Sequence, residues 1–286
     1  MSAQPLISVM MPFLNGGPAF RAALKSIQWQ TYPNWELLLC DDGSSDGSYE
    51  LAASLNDPRF RLWSDGRRLG LAARLNECLD RAQGQLIARM DADDISYPDR
   101  LARQVEFLQT HPHVDLAGCS MLIFGEDGDA LGQRIAPEAH DEIVARPSLG
   151  FGLAHPTWMA HAEWFRAHRY DPSAVRYEDI ELLYRAYPNS RFSNVPEILY
   201  GYREMRGGFL KRFKTRTGRL RYLYTRQRAL GLGMLLRAAA AETTKAAADA
   251  ALALAGARYA MLRTVASPLT ERDRTRWSQI ASEGVA

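Results

Sequence analysis

Short apolar runs alternate with helical spacing through the first hundred residues, and polar breaks separate them. Residues 6–11 form an apolar run that stops at Pro12-Phe-Leu-Asn-Gly-Gly17, the pattern of a buried strand and its turn. Over residues 19–29 the period changes, and Phe20, Leu24 and Ile27 fall on one helical face. A second strand is predicted at 35–40, closed by Asp41-Asp42-Gly43-Ser44-Ser45-Asp46-Gly47-Ser48. A helix at 48–55, a strand at 60–63, a helix at 69–82 and a strand at 86–90 continue the rhythm. The last strand runs into Asp91-Ala92-Asp93-Asp94, and Pro98 suits the first turn of a helix reaching residue 110. Such βα alternation predicts an α/β fold with a mostly parallel sheet and helices on both faces.

Beyond residue 113 the pattern loosens. Strands are predicted at 114–124, 158–160 and 195–202, with helices at 163–168 and 179–187 and a polar turn at 126–132. From residue 207 onward the composition is helical, centred on the Ala-rich stretch 238–257. The division expected is one domain over 1–205, with halves at 1–112 and 113–205, followed by a helical extension over 206–286.

Composition narrows the class. With 286 residues, 47% hydrophobic and 24% charged, the chain suits an ordinary soluble globular protein. Its three cysteines, Cys40, Cys78 and Cys119, are odd in number and lack metal-ligand spacing, which fits a reducing compartment. No signal peptide is expected at the start, and no apolar stretch reaches membrane-spanning length. The net charge of +2 conceals an asymmetry. Residues 205–230 hold nine Arg or Lys and no Asp or Glu, while the rest holds 26 basic against 33 acidic residues, a net of −7.

In parallel sheets, ligands sit beyond the carboxyl ends of the strands, where both acidic clusters fall. Asp91 and Asp93, at i and i+2 in an extended segment, can point the same way and suit Mg²⁺ or Mn²⁺, which take oxygen ligands beside substrate phosphates. An Asp-x-Asp alone also serves as a solvated turn ahead of a helix. The Asp41–Ser48 cluster equally suits a capped turn or a carboxylate that accepts from a nucleobase or ribose.

The order strand–Pro-Phe-Leu-Asn, strand–Asp-Asp-Gly-Ser, then Ile87-Ala-Arg-Met-Asp-Ala-Asp-Asp94 with Tyr97-Pro-Asp-Arg-Leu101 resembles family 2 of the glycosyltransferases. His155-Pro-Thr-Trp-Met159, Glu178-Asp-Ile-Glu-Leu-Leu-Tyr-Arg185 and Leu199-Tyr-Gly-Tyr-Arg203 continue that pattern over residues 5–205. The resemblance implies a GT-A fold and an inverting transfer from a UDP-sugar to an acceptor hydroxyl, with Mn²⁺ or Mg²⁺ as cofactor. Pro12 and Asn15 are then expected to border the uridine pocket, and Asp42 to accept the uracil N3–H. Asp93 is expected on the metal, with Asp91 near ribose or metal and Ala92 between them at the nucleotide sugar. Asp179 is the expected general base, with Glu178 its rival, since neighbours on a helix do not share a face. Arg203 is expected at the diphosphate, and His155, extended ahead of Pro156, at acceptor or phosphate. One departure stands out: relatives often carry Asn-x-Gly before the third helix, where this chain has Arg68-Leu69-Gly70, so Arg67 or Arg68 either reaches a phosphate or points into solvent.

The basic segment 209–230 carries Leu210, Phe213, Leu220 and Tyr224 on one helical stripe. It suits either an anionic membrane surface beneath a lipid-linked acceptor or packing on the catalytic domain. Nucleic acid is not expected as a partner. The expected setting is bacterial surface-glycan synthesis in the cytoplasm, at the inner face of the plasma membrane. Two other classes compete. A sugar nucleotidyltransferase would open with a Gly-rich phosphate loop, which is missing after the first strand. A non-catalytic membrane adaptor would not need the carboxylates that stand at the metal and base positions.

Overall fold

The computed structural model describes residues 4–204, 217–218, 220–222, 224–225, 232–254 and 267–285. The first half follows the expected rhythm with element ends shifted by at most two residues: β1 (Ile7–Met10), α1 (Phe20–Gln28), β2 (Trp35–Asp41), α2 (Ser48–Ser54), β3 (Phe60–Ser64), α3 (Leu71–Arg81) and β4 (Leu86–Arg89). These four strands lie in the order β3-β2-β1-β4 and pair in parallel. Every residue of β1, β2 and β4 is buried, as strands covered on both faces must be.

The second half comprises β5 (Ile95–Ser96), α4 (Arg100–Thr110), β6 (Leu116–Phe124), β7 (Ala130–Arg134), α5 (His140–Ile143), β8 (Met159–His161), α6 (Ala162–Ala167), α7 (Glu178–Ala186), β9 (Phe192–Arg203), α8 (Leu232–Leu254) and α9 (Glu271–Ile280). The sheet continues from β4 through β8, β6 and β9 to β5, with β7 attached to β6. Here the pairing is mixed. β8 is antiparallel to both β4 and β6, β6 and β9 are parallel, and β5 and β7 run antiparallel to their neighbours. The α/β sheet expected from sequence is present, with its uninterrupted parallel part confined to the first four strands.

Three local departures have simple causes. The polar stretch 126–132 turns at 125–129, where the Gly125 and Gly128 amides donate to the Asp129 and Gly125 carbonyls, and then enters β7. Helix α4 begins after Pro98, whose carbonyl is taken by the Thr31 amide at 2.8 Å. His155 is not extended but opens a 3-10 turn over His155–Thr157, closed by the Thr157 amide and hydroxyl on the Ala154 carbonyl. Pro156 fits there because early positions of a helical turn need no N–H.

Helices cover both faces of the sheet. On one face Phe20, Leu24 and Ile27 of α1 and Leu101, Val105 and Leu108 of α4 pack with β1 and β2. On the other, Leu75 and Leu79 of α3, Phe165 of α6 and Leu182 and Leu183 of α7 close the layer. A third cluster joins Ile95, Tyr97 and Phe124 to Trp277 and Ile280 of the C-terminal segment. Trp277 lies 4.6 Å from the Phe124 ring and donates its Nε1–H to the Gly128 carbonyl at 2.9 Å. Gly201 makes room for it, since a Cβ there would stand 2.8 Å from the indole.

Most of the basic segment lies outside the described residues, Leu210 and Phe213 among them. Within its described part, Tyr222 packs on the Tyr177 and Tyr184 rings at 5.2 and 6.3 Å, while Tyr224 is 62% exposed. Of the expected stripe, Leu220 is half-buried and Tyr224 exposed, and the buried Tyr222 lies beside it. Among the described residues no helix is long and apolar enough to cross a membrane. Trp277→Ala should destabilise the protein by roughly 3–5 kcal/mol, the usual cost of emptying a buried tryptophan site. Urea unfolding followed by far-UV circular dichroism measures this, and an unchanged midpoint would detach the C-terminal segment from the core.

Candidate active site

The ends of β1 and β2 are stitched together before any ligand is considered. The Phe13 amide donates to the Cys40 carbonyl at 2.9 Å, and the Asp42 amide returns to the Phe13 carbonyl at 2.8 Å. Pro12 is buried beneath this joint, while Asn15 is exposed with a left-handed φ of 50° that asparagine tolerates. Its amide donates to Ser44 Oγ at 2.9 Å, and its side-chain oxygen accepts from the Ser45 amide at 2.8 Å. Of the two neighbouring carboxylates, Asp41 is consumed locally by the Ser44 amide and the Ser64 hydroxyl.

Asp42 is buried and faces the loop before α3. It accepts from the Leu69 amide at 2.7 Å, the Gly70 amide at 3.0 Å and Arg74 Nε at 3.0 Å. Gly70, at φ 88°, can turn its N–H onto both carboxylate oxygens in a conformation other residues rarely reach. Arg68 sits exposed at the rim of the same loop. Arg74 is fully buried and reaches three carboxylates, Asp42, Asp65 at 2.6 Å and Glu77 at 2.8 Å. Sequence reasoning gave Arg74 no role, although a cation among Ala72, Leu75 and Cys78 on the apolar face of α3 was a readable signal.

Past β4, Asp91, Asp93 and Asp94 each offer a carboxylate oxygen, all within 4.8 Å of one another. An all-oxygen set of this kind fits Mg²⁺ or Mn²⁺ rather than a soft metal. Asp91 is ion-paired with the buried Arg89, and its amide donates to the Tyr200 hydroxyl at 3.2 Å. Ala92 is half-buried and packs against the first core cluster. Arg203 binds the loop rather than opening toward it. Its amide donates to Asp94 Oδ1 at 2.7 Å, its Nε donates to the Asp93 carbonyl at 2.9 Å, and its guanidinium covers the Phe124 ring at 4.5 Å. Asp94 is almost fully buried, and burial together with the charges of Asp91 and Asp93 drives its carboxyl well above the usual range.

The third group opens α7. Glu178 is 7% exposed, and burial, reinforced by the charge of Asp179, pushes its carboxyl up to about 7. Asp179 is only partly buried by surface area; desolvation raises its carboxyl too, opposed by the Ile180 amide and the positive charge of Arg89. The charge of Asp91 raises both carboxyls further. His155 is buried, with Nε2 2.9 Å from the Tyr170 hydroxyl and its ring against Trp158. Burial, reinforced by the nearby Arg89, holds its imidazole well below the usual range. Tyr170, its partner, was not singled out in the sequence.

Comparison with known proteins points in one direction. The family model described as glycosyl transferase family 2 matches residues 8–169. EpsE of Bacillus subtilis, named as a glycosyltransferase, is 38% identical over 220 residues, covering 74% of this chain and 78% of its own. WfgD of Escherichia coli, a UDP-Glc:α-D-GlcNAc-diphosphoundecaprenol β-1,3-glucosyltransferase, is 32% identical over 147 residues, covering 51% of this chain and 57% of its own. The Staphylococcus aureus TarS fragment in complex with UDP-GlcNAc superposes with a TM-score of 0.59 at 20% identity, over 75% of this chain and 64% of that one. The mannosyltransferase PcManGT of Pyrobaculum calidifontis, in complex with GDP-Man and Mn²⁺, gives 0.62 at 20% identity over 99% and 87%. At that identity the two structures establish the GT-A fold.

The raised carboxyl of Glu178 carries a pH signature. A carboxyl that keeps its proton in the folded state stabilises it most below the unfolded value near 4.5, and that stability is lost as pH rises toward about 7. Between these limits wild-type stability should fall by on the order of 2–3 kcal/mol through this group. Glu178→Gln should flatten the fall in urea titrations run across pH 4.5–7, and an undiminished slope would assign the loss to other groups.

Proposed function

The chain belongs to glycosyltransferase family 2, and on that premise we propose that it transfers a sugar from a UDP-sugar to an acceptor hydroxyl with inversion at the anomeric carbon. The observation that supports this reading is that Asp42 and the Asp91–Asp93–Asp94 oxygens follow β2 and β4, the parallel strands on either side of β1, and that the charge of Asp91 acts on the carboxyls that open α7. UDP-Glc in the name of WfgD and UDP-GlcNAc in TarS support a uridine donor, whereas PcManGT with GDP-Man keeps guanosine as the competing base.

Pro12 and Asn15 border the uridine, and Asp42, fixed by Arg74 and the loop amides, accepts from the uracil N3–H. Arg68 stands at the rim of the pocket near the donor. Asp91 and Asp93, with Ala92 between them, would hold Mn²⁺ or Mg²⁺, which neutralises the charge gathering on the departing diphosphate. Arg203 stiffens that loop through its hold on Asp93 and Asp94 and adds positive charge behind the diphosphate. Asp179 takes the proton from the acceptor hydroxyl as it attacks the face opposite the leaving group. It suits this role better than Glu178, which is more deeply buried and holds its proton to about 7. His155 and Tyr170 shape the wall on the acceptor side. The transition state is oxocarbenium-like, as in glycoside hydrolysis.

The acceptor is a surface glycan or lipid-linked intermediate, consistent with the diphosphoundecaprenol in the name of WfgD. The basic segment 209–230 then holds the enzyme at the anionic inner face of the plasma membrane. Calorimetric titration with UDP, GDP and dTDP, each with Mn²⁺ and with chelator, should give binding for UDP that requires the metal. A preference for GDP would retain the transferase and overturn the assignment of Asp42 to uracil. Asp179→Asn should cut turnover by about 10²- to 10⁴-fold while leaving UDP affinity near wild type, the range typical of lost acid–base help. Near-normal turnover in a radiolabelled-sugar transfer assay would move the base to Glu178.

A further inference from the structure

Arg89 is a charge that none of these steps employs. It ends β4, is 2% exposed, and gives a single nitrogen, Nη2, to Asp91. Its Nε and Nη1 are buried with no hydrogen-bond partner among the described residues. Its backbone carbonyl accepts from Nη2 of a second buried arginine, Arg100, at 2.7 Å. Such an arrangement lowers stability. Idle buried donors carry a desolvation cost, and an apolar side chain of similar volume is often neutral or better in place of a buried ion. Asp91 is the open end of the pair, with a third of its side chain exposed to the crevice.

We propose that Arg89 is a positioning residue for the cation site, whose fixed charge holds Asp91 and makes the site select a metal–nucleotide complex over the bare metal ion. The inference rests on the metal site proposed above at Asp91 and Asp93. A divalent cation arriving alone meets a carboxylate that is already paired, beside a positive charge that cannot withdraw. A cation arriving with a diphosphate brings negative charge of its own, which the same guanidinium attracts. The protein interior screens both effects less than water does.

The test compares wild type with Arg89→Met and Arg89→Lys in the full chain. Mn²⁺ binding is followed by the paramagnetic resonance signal of the free ion, with and without UDP, and each protein is melted in metal-free buffer. Arg89→Met should bind Mn²⁺ alone about tenfold more tightly, as expected when one nearby charge is removed at a partly screened site. The tightening that UDP confers should shrink by a similar factor, and the variant should melt at or above the wild-type temperature. Arg89→Lys keeps the charge and the single contact, and should behave as wild type. Weaker or unchanged binding of Mn²⁺ alone by Arg89→Met would overturn the proposal and leave Arg89 a brace for the strand end. A marked loss of stability or failure to fold in that variant would overturn it equally, because the argument requires the buried charge to be costly. Tighter Mn²⁺ binding by Arg89→Lys would also overturn it. A wild-type protein that binds no Mn²⁺ even with UDP would remove the metal site itself, a result distinct from the others.

Discussion

Carboxylates gathered along one crevice repel each other, and this fold holds them there by burying arginines behind them. Arg74 stands under Asp42 and also holds Asp65 and Glu77. Arg89 stands under Asp91, and Arg203 donates its Nε to the Asp93 carbonyl and its own amide to the Asp94 carboxylate. An exposed ion pair is worth little because water screens it. These arginines are 0%, 2% and 9% exposed, so their charges act at short range on groups that water reaches only from the crevice side. The carboxylates are therefore oriented before a ligand arrives, as a site that stabilises developing charge requires.

The parallel half of the sheet supplies the geometry for this arrangement. β1, β2 and β4 run side by side in the same direction, so their carboxyl ends open on one edge. The turn after β1, the Asp42 loop and the Asp91–Asp94 loop then become neighbours without long connections. The antiparallel β8 next to β4 brings in the 155–157 turn, where His155 meets the Tyr170 hydroxyl.

The C-terminal segment contributes from behind. Trp277 lies beneath Gly201 and Phe124, and Arg276 reaches Asp99 and covers Tyr97. These contacts back β5 and β9, the strands on either side of the Asp94–Arg203 link. Tyr222 packs in a similar way on Tyr177 and Tyr184 of the α7 region. Both ends of the crevice are thus supported by residues that follow the sheet in sequence.

The chain sequence by itself determined the alternation of elements through residue 110, because fully buried strands and amphipathic helices impose periods of their own on the residues. It also determined which carboxylates lie at strand ends, since turn residues and strand boundaries are local. Ordered motifs along residues 5–205 carried the family, and the family match over residues 8–169 agrees. Tertiary structure alone decided the mixed pairing of the second half, where β5 has two residues and β8 three, too few to establish a period. It also decided that Arg203 turns into the Asp91–Asp94 loop, that His155 is buried against Tyr170 and Trp158, and that Tyr222 is buried where Tyr224 is exposed. Arg74 and Arg89 were legible only in part. Their partners Glu77 and Asp91 lie close in sequence, but the reach of Arg74 to Asp42 on another strand and the full burial of Arg89 come only with the folded chain.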